Sequence, residues 1–222
     1  MDQPRHSIDW RNGTVPVSRQ FDDPFYSLEN GLEETRHVFL NGNALPARFR
    51  PGFHIAELGF GTGLNLVAAA LCWDASGQDG VLHFTSFEAF PLAGDDLRTA
   101  LASFPQAAPL VDAIARALET DGRITTPRLS VQIVFGDARQ TVPAWGGRAD
   151  AWFLDGFAPA RNPELWEPSL LAAVAQHTAP GGTCATYSAA GAVRAGLADA
   201  GFTVTRIPGY GRKRHMTQGV LS

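Results

Sequence analysis

"HIAELGFGTGLNLVAAALCW" (residues 54–73) decides how the rest of the chain is read. "HIAEL" (54–58) reads as a strand, with Glu57 just ahead of the first glycine. "LNLVAAALCW" (64–73) reads as a helix. Between them, Gly59, Gly61 and Gly63 keep side chains out of a tight turn, so a ligand can approach the backbone closely. The helix start behind the turn presents unpaired N–H groups and a partial positive charge. A glycine loop by itself is a weak sign, but one between the first strand of an α/β unit and its helix is a stronger one.

The same rhythm continues downstream. "VLHFTSFE" (81–88) is a strand, followed by helices through "LAGDDLRTALASF" and "APLVDAIARALE". Leu97 and Leu101, then Leu110, Ile114 and Leu118, recur at i, i+4, and Pro105 and Pro109 separate the two. "RLSVQIVF" (128–135) alternates like an outer strand with one wetter face, whereas "AWFL" (151–154) is continuously apolar and suits the sheet centre. A helix follows through "LWEPSLLAAVAQH", with Pro168 marking a late start or a kink. Then come a strand at 181–188, a helix through "AAGAVRAGLADAG" that Gly201 caps, and a strand at 202–207. The turn after it is too short for a parallel crossover, so the last strand, roughly 213–221, is antiparallel. Alternating strands and helices imply an α/β fold with right-handed crossovers. Six parallel strands plus one antiparallel C-terminal strand form the pattern of a class I (Rossmann-like) S-adenosylmethionine-dependent methyltransferase, a seven-stranded, mostly parallel sheet. This domain is expected over 51–222. Residues 1–50, a mixture of acids and aromatics with one helix around 31–40, form an N-terminal extension.

Composition narrows the function. The chain has 222 residues, 45% of them apolar, enough for one substantial core, and a formal net charge of −4. That charge argues against a general nucleic-acid coat but leaves room for a local basic patch. Cys72 and Cys184 both lie in apolar runs, as core thiols of a reducing compartment do. "MDQPRHSIDW" lacks the apolar stretch of a signal peptide, no run approaches the roughly 18 apolar residues of a membrane span, and the expectation is a cytoplasmic protein. The six histidines show no metal-ligand spacing, so no metal site is expected.

Four acids mark the site. Dinucleotide folds use G-x-G-x-x-G, whereas here the order is E-x-G-x-G-x-G. Glu57 can fix the loop or hold an ammonium group, which suits S-adenosylmethionine with its amino-acid tail. Glu88 ends the second strand, where a carboxylate can accept from both ribose hydroxyls. Asp137 in "FGDAR" follows the third strand. It can accept from the adenine amino group with Ala138 beside it, or simply cap a helix. Asp155 follows the fourth strand. All four lie at the carboxyl ends of strands, flanking the crevice where open α/β sheets bind ligands. The loop residues Gly59, Phe60, Gly61, Thr62, Gly63 and Asn65 complete the expected cofactor set. Asp155, in "DGFAP", should face the methyl donor and the acceptor. An amine attacks only when neutral, and a carboxylate can orient it and receive its proton while an apolar wall lowers its pKa. Phe157, Pro159 and Trp166 can supply that wall. The alternatives are that Asp155 caps a turn and that Trp166 is core packing.

"FDDPFYS", "ELGFGTGLN", "SFEAFPL", "DAWFLDGFAPARNPELW", "TYSAAGAVRAGLADAGF" and "GYGRKRHM" together resemble the tRNA wobble-uridine aminomethyl methyltransferases. Among these is the methyltransferase half of the bifunctional 5-methylaminomethyl-2-thiouridine biosynthesis protein. The resemblance spans about residues 20–220. It implies methyl transfer from S-adenosylmethionine to 5-aminomethyl(2-thio)uridine in a tRNA anticodon. Asp155 would be the catalytic residue, and Asp22, Asp23, Phe25 and Tyr26 would help close the substrate pocket. A chain of this length has no room for the flavin-dependent oxidase of bifunctional members, so it is expected to be either a stand-alone methyltransferase, with another enzyme supplying the amine, or an excised half of such a protein. Arg212, Lys213 and Arg214, with Arg161, can meet tRNA phosphate, although a short basic run is also an ordinary solvated strand face. The competing readings are a methyltransferase or aminopropyltransferase for a small amine, and a non-catalytic tRNA-binding module.

Overall fold

A computed structural model describes residues 4–27 and 30–222. Three short strands open the chain: β1 (Ile8–Arg11), β2 (Val15–Ser18) and β3 (Asp23–Pro24). They form an antiparallel sheet of their own. The turn between β1 and β2 places Asn12 at φ 54° and Gly13 at φ 71°, the left-handed region those two residue types tolerate best. Helix α1 (Gly31–Thr35) follows and runs into tighter and wider turns as far as Asn43. Asn30 caps α1 by accepting from the Glu33 N–H.

The remaining elements alternate as β4 (His54–Leu58), α2 (Leu64–Ala75), β5 (Leu82–Glu88), α3 (Gly94–Leu101), α4 (Ala108–Glu119), β6 (Arg123–Thr125), β7 (Leu129–Phe135), α5 (Ala138–Thr141), β8 (Ala149–Leu154), α6 (Pro168–Gln176), β9 (Thr178–Thr186), α7 (Gly191–Asp199), β10 (Phe202–Pro208) and β11 (His215–Leu221). The strands β4 to β11 form one sheet in the order β10-β11-β9-β8-β4-β5-β7-β6. β4, β5, β7, β8 and β9 run parallel, and β11 is inserted antiparallel between β9 and β10. The expected seven strands thus become eight. The addition is β6, antiparallel to β7 at the sheet edge. Only Ile124 of its three residues is buried, too weak an apolar signal to betray a strand. Pro168 starts α6, so the late start is what its position means.

Side-chain alternation along the central strands builds two cores. Ile55, Phe84 and Phe153 join Leu66, Leu97, Ile114 and residues 32–49 on one face. Ala56, Leu58, Trp152 and Leu154 join Leu170, Leu171, Val193 and Leu197 on the other. Trp152 and Phe153 are neighbours in sequence, point to opposite faces, and are both fully buried. The apolar run "AWFL" is therefore a strand covered on both sides. Among the described residues, no helix is long and apolar enough to cross a membrane.

Candidate active site

The carboxyl ends of β4, β5, β7 and β8 open into a cavity of about 730 Å³, a size suited to a small-molecule ligand. Gly59, Phe60, Gly61, Thr62 and Asn65 line it from the glycine turn, and Glu88, Asp137, Ala138 and Asp155 from the strand ends. Phe25, Tyr26, Asp23 and Phe157 also line it, with Arg212 and Lys213 at the β10–β11 turn. Glu57, Gly63, Asp22, Pro159, Arg161, Trp166 and Arg214 do not line it.

Close backbone approach explains the first glycine. Gly59 has φ 84°, and a Cβ there would lie 2.5 Å from the Asp155 carbonyl oxygen. The Asp155 N–H in turn donates to the Leu58 carbonyl at 3.1 Å. The glycine turn and the DGFAP loop therefore touch backbone to backbone, which sets Asp155 against the turn.

The four acids occupy four different environments. Glu88 is buried, with its Oε2 accepting from the Gly61 N–H at 3.0 Å and its Oε1 from the Phe90 N–H at 2.7 Å. Burial raises its pKa, and the surrounding backbone N–H groups, Gly61 and Phe90 among them, oppose the rise. Each carboxylate oxygen keeps a lone pair for a ligand hydroxyl. Asp137 caps α5 by accepting from the Arg139 N–H, and its carboxylate is also ion-paired with the Arg139 guanidinium. That guanidinium holds its pKa below the usual carboxylate range. Capping, one of the two expected roles, is what the residue visibly does, although it also lines the cavity.

Glu57 has 0% exposure and sits behind the glycine turn. It accepts from Asn65 Nδ2 at 2.8 Å and from Ser86 Oγ at 2.6 Å. Desolvation pushes its pKa well above the usual carboxylate range. Of the two roles weighed for it, fixing the loop fits this burial. Asp155 is partly exposed to the cavity and accepts from Asn65 Nδ2 at 2.6 Å. Desolvation pushes its pKa up to about 7, against the pull of the Asn65 amide and Lys213.

Aromatic rings roof the cavity. Phe157 stacks on Phe21 at 4.9 Å between ring centres and meets Phe25 edge-on at 5.2 Å. His6 sits among Phe21, Phe25, Phe90 and Phe157. Desolvation lowers the His6 pKa to about 4, so its imidazole is neutral near pH 7. Trp166 is only 8% exposed and donates its indole N–H to the Phe157 carbonyl at 3.0 Å. It supports the loop from beneath instead of forming the wall, so the core-packing alternative describes it. Arg161 pairs with Asp22 and donates to the Phe21 carbonyl, and the Ala158 N–H donates to Asp23 Oδ2 at 3.1 Å. These bonds tie the DGFAP loop to the N-terminal segment.

His6, Phe21, Phe90, Glu34, Thr35 and Tyr187 line the cavity without having been singled out in the sequence. Phe90 and Tyr187 stand inside quoted motifs, "SFEAFPL" and "TYSAAG". Lys213 donates to Glu34 Oε1 at 2.9 Å, and its ammonium lies 3.9 Å from the centre of the Tyr187 ring. Tyr187 anchors the assembly by donating to the Gly156 carbonyl at 2.7 Å.

Known proteins resemble the chain in sequence and in fold. The bifunctional tRNA 5-methylaminomethyl-2-thiouridine biosynthesis protein MnmC of Chromobacterium violaceum is 42% identical over 229 residues, covering 96% of this chain and 34% of that protein. The chain therefore spans about a third of the length of the curated relatives it matches. The crystal structure of MnmC2 from Aquifex aeolicus superposes with a TM-score of 0.73 at 26% identity, covering 100% of this chain and 72% of that one. The S-adenosylmethionine-bound amino pentose methyltransferase CalS10 of Micromonospora echinaspora shares the fold at a TM-score of 0.53 and 15% identity, covering 88% of this chain and 93% of that one. Residues 103–222 match the model of the S-adenosyl-L-methionine-dependent methyltransferases, and since that is more than half of its length, the chain belongs to this family.

Proposed function

We propose that the protein methylates the amine of 5-aminomethyl(2-thio)uridine at the wobble position of tRNA, giving 5-methylaminomethyl(2-thio)uridine. The observation that carries this reading is the placement of Asp155. A carboxylate whose pKa is about 7 lies at the cavity wall, in backbone contact with the glycine turn and beside an aromatic roof. That is a station for an amine that must lose a proton, next to the place for a methyl donor. The relatives whose names describe this uridine modification support the choice of substrate.

The residues present fit S-adenosylmethionine. The glycine turn lines the cavity with Gly59 and Gly61, and Glu88 offers free lone pairs beside Gly61. Gly59, Gly61 and Glu88 would hold the donor, with Asp137 and Ala138 at the adenine end. When bound, the donor supplies an electrophilic methyl group on a sulfonium. Asp155 orients the acceptor amine and takes up the proton that the amine releases. Phe21, Phe25 and Phe157 exclude water and offer flat faces to an unstacked base, which suits an anticodon nucleotide that can be splayed out. Positioning the two partners provides much of the acceleration in such a displacement. Residues 4–27 act as the roof of the substrate pocket, and Arg212 and Lys213 meet backbone phosphate. A further activity, such as that of a flavin-dependent oxidase, delivers the primary amine.

Mass analysis of wobble nucleosides tests the proposal, after incubation of the protein and S-adenosylmethionine with tRNA from cells lacking this activity. A gain of one methyl on the aminomethyl base is expected. Equal efficiency on the free nucleoside and on whole tRNA would remove tRNA as the substrate.

A further inference from the structure

The side-chain amide of Asn65 has both of its N–H groups committed to carboxylates. Nδ2 donates to Glu57 Oε1 at 2.8 Å and to Asp155 Oδ2 at 2.6 Å, and Oδ1 accepts from Thr35 Oγ1 at 3.0 Å. Asn65 is 4% exposed and Thr35 5%. The amide nitrogen faces the two carboxyl groups and the amide oxygen faces the Thr35 hydroxyl. The amide cannot flip without breaking all three bonds. Ser86, directly across from Glu57 in the β4–β5 register, closes the chain from below.

No donor of Asn65 remains for a ligand, and Glu57 does not reach the cavity. Both had been expected among the cofactor contacts. We propose that Asn65 is a positioning residue for Asp155, and that Glu57 acts on the reaction only through Asn65, without touching either substrate. The proposal rests on the reading of Asp155 as the group facing the amine. Only an amide serves at this place. An aspartate at position 65 would bring a third carboxyl between the other two, and a small apolar residue would take the amide donor from Asp155 and leave Glu57 with Ser86 alone, which is costly where the groups are buried.

Charge at Asp155 is then set from several sides. Glu57 on β4 stands behind Asn65, Glu34 on α1 and Tyr187 beyond β9 lie near, and Lys213 approaches from the β10–β11 turn. The Asn65 N–H and Lys213 favour the ionised carboxylate, while burial and Glu34 oppose it. Removing Asn65 takes away one of the two favourable partners, so Asp155 must titrate at higher pH.

Carboxyl-carbon NMR titration of the unliganded protein tests this directly, with Asp155→Asn assigning the signal. Asn65→Ala is expected to raise the Asp155 midpoint by about one unit, and Thr35→Val, which only loosens the amide, by less in the same direction. Glu57→Gln is expected to leave the calorimetric affinity for S-adenosylmethionine within a few fold. Asn65→Ala should lower kcat and move the acid limb of its pH profile upward, again with donor affinity little changed. An unmoved midpoint in both Asn65→Ala and Thr35→Val would overturn the proposal. So would a tenfold loss of donor affinity in Glu57→Gln, or in Asn65→Ala with kcat intact. The midpoint is measured without either substrate, so failure of tRNA methylation alone would strike the functional reading and leave this one standing.

Discussion

Asp155 is held where its ionised form is disfavoured, and both its chemistry and its effect on stability follow from that. Its pKa is raised by desolvation from the ordinary value of an aspartate, near 3.8, to about 7. Below about pH 7 the carboxyl already carries a proton and cannot receive another, so turnover should fall as pH drops through that value. Asp155→Asn removes the acceptor while keeping the shape and the bond from Asn65. It should lower kcat by about 100-fold or more, the usual size of a general-base contribution, and abolish the acid limb near pH 7. The affinity for S-adenosylmethionine should stay within a few fold by calorimetry, and near-normal turnover would take Asp155 out of the mechanism. The same shift has a sign in stability. Between about pH 4 and 7 the native state keeps a proton that the unfolded chain has lost, so folding stability declines as pH rises through that window and stays low above it. A shift of about three units corresponds to at most ~4 kcal/mol. Asp155→Asn is therefore expected to be more stable than the parent at pH 8 by up to that amount, and equal to it below about pH 4. Glu88 titrates alike in both proteins, while Glu57 is raised in part by the Asp155 charge, so the difference between their denaturation curves reports Asp155 together with its coupling to Glu57.

The glycine turn and the DGFAP loop function as one unit because their backbones touch. In Gly59→Ala the added methyl would meet the Asp155 carbonyl at 2.5 Å in a backbone region with φ 84°, so the loop must shift. We expect a clear drop in the melting temperature together with loss of donor binding, since both penalties fall on the contact that sets Asp155. The ion pair that ties the same loop to the N-terminal segment is a different case. Arg161 and Asp22 have side chains 44% and 81% exposed, and such pairs contribute about 0–1 kcal/mol. Arg161→Ala should leave the melting temperature within a degree or two and raise KM for tRNA several-fold as the roof loosens. Unchanged KM would make the pair ornamental. These elements also show what could be read from the chain alone. The strands of the central sheet announced themselves because burial on both faces demands unbroken apolar runs, as in "AWFL". Glu88 and Asp155 were legible because an acid at the end of such a run has few structural excuses. β6 was not, for want of more than one buried residue, and the β1–β2 turn went unread although "NG" is its usual signature. Trp166 and Arg161 sit in the most specific motif but face the loop's underside and Asp22, and no spacing rule tells which way a loop side chain turns. His6 becomes part of the roof only through rings that lie far away in sequence.

With a formal charge of −4 over 222 residues, the molecule as a whole repels a polyanion, and under the proposed function its attraction for tRNA has to be local. The cations around the cavity are already engaged: Lys213 with Glu34, Arg161 with Asp22, and Arg139 with Asp137 and Glu167. A phosphate arriving at the β10–β11 turn must compete with Glu34 for Lys213, so binding exchanges one ion pair for another and gains little overall. Each phosphate contact adds roughly 0.7–0.9 to the slope of log affinity against log salt. Two contacts at this turn would raise KM for tRNA by about tenfold between 50 and 200 mM salt. The KM of the free nucleoside, which has no phosphate, should not respond. Glu34→Gln supplies the sharper test. It keeps the shape of the side chain but no longer holds the ammonium, so Lys213 is released toward phosphate. We expect a lower KM for tRNA at low salt and a salt slope steeper by up to about one contact. Lys213→Gln should do the opposite on both measures. If Glu34→Gln weakens tRNA and nucleoside alike, then Glu34 serves the amine at the cavity wall, and the competition for Lys213 is not what governs tRNA binding.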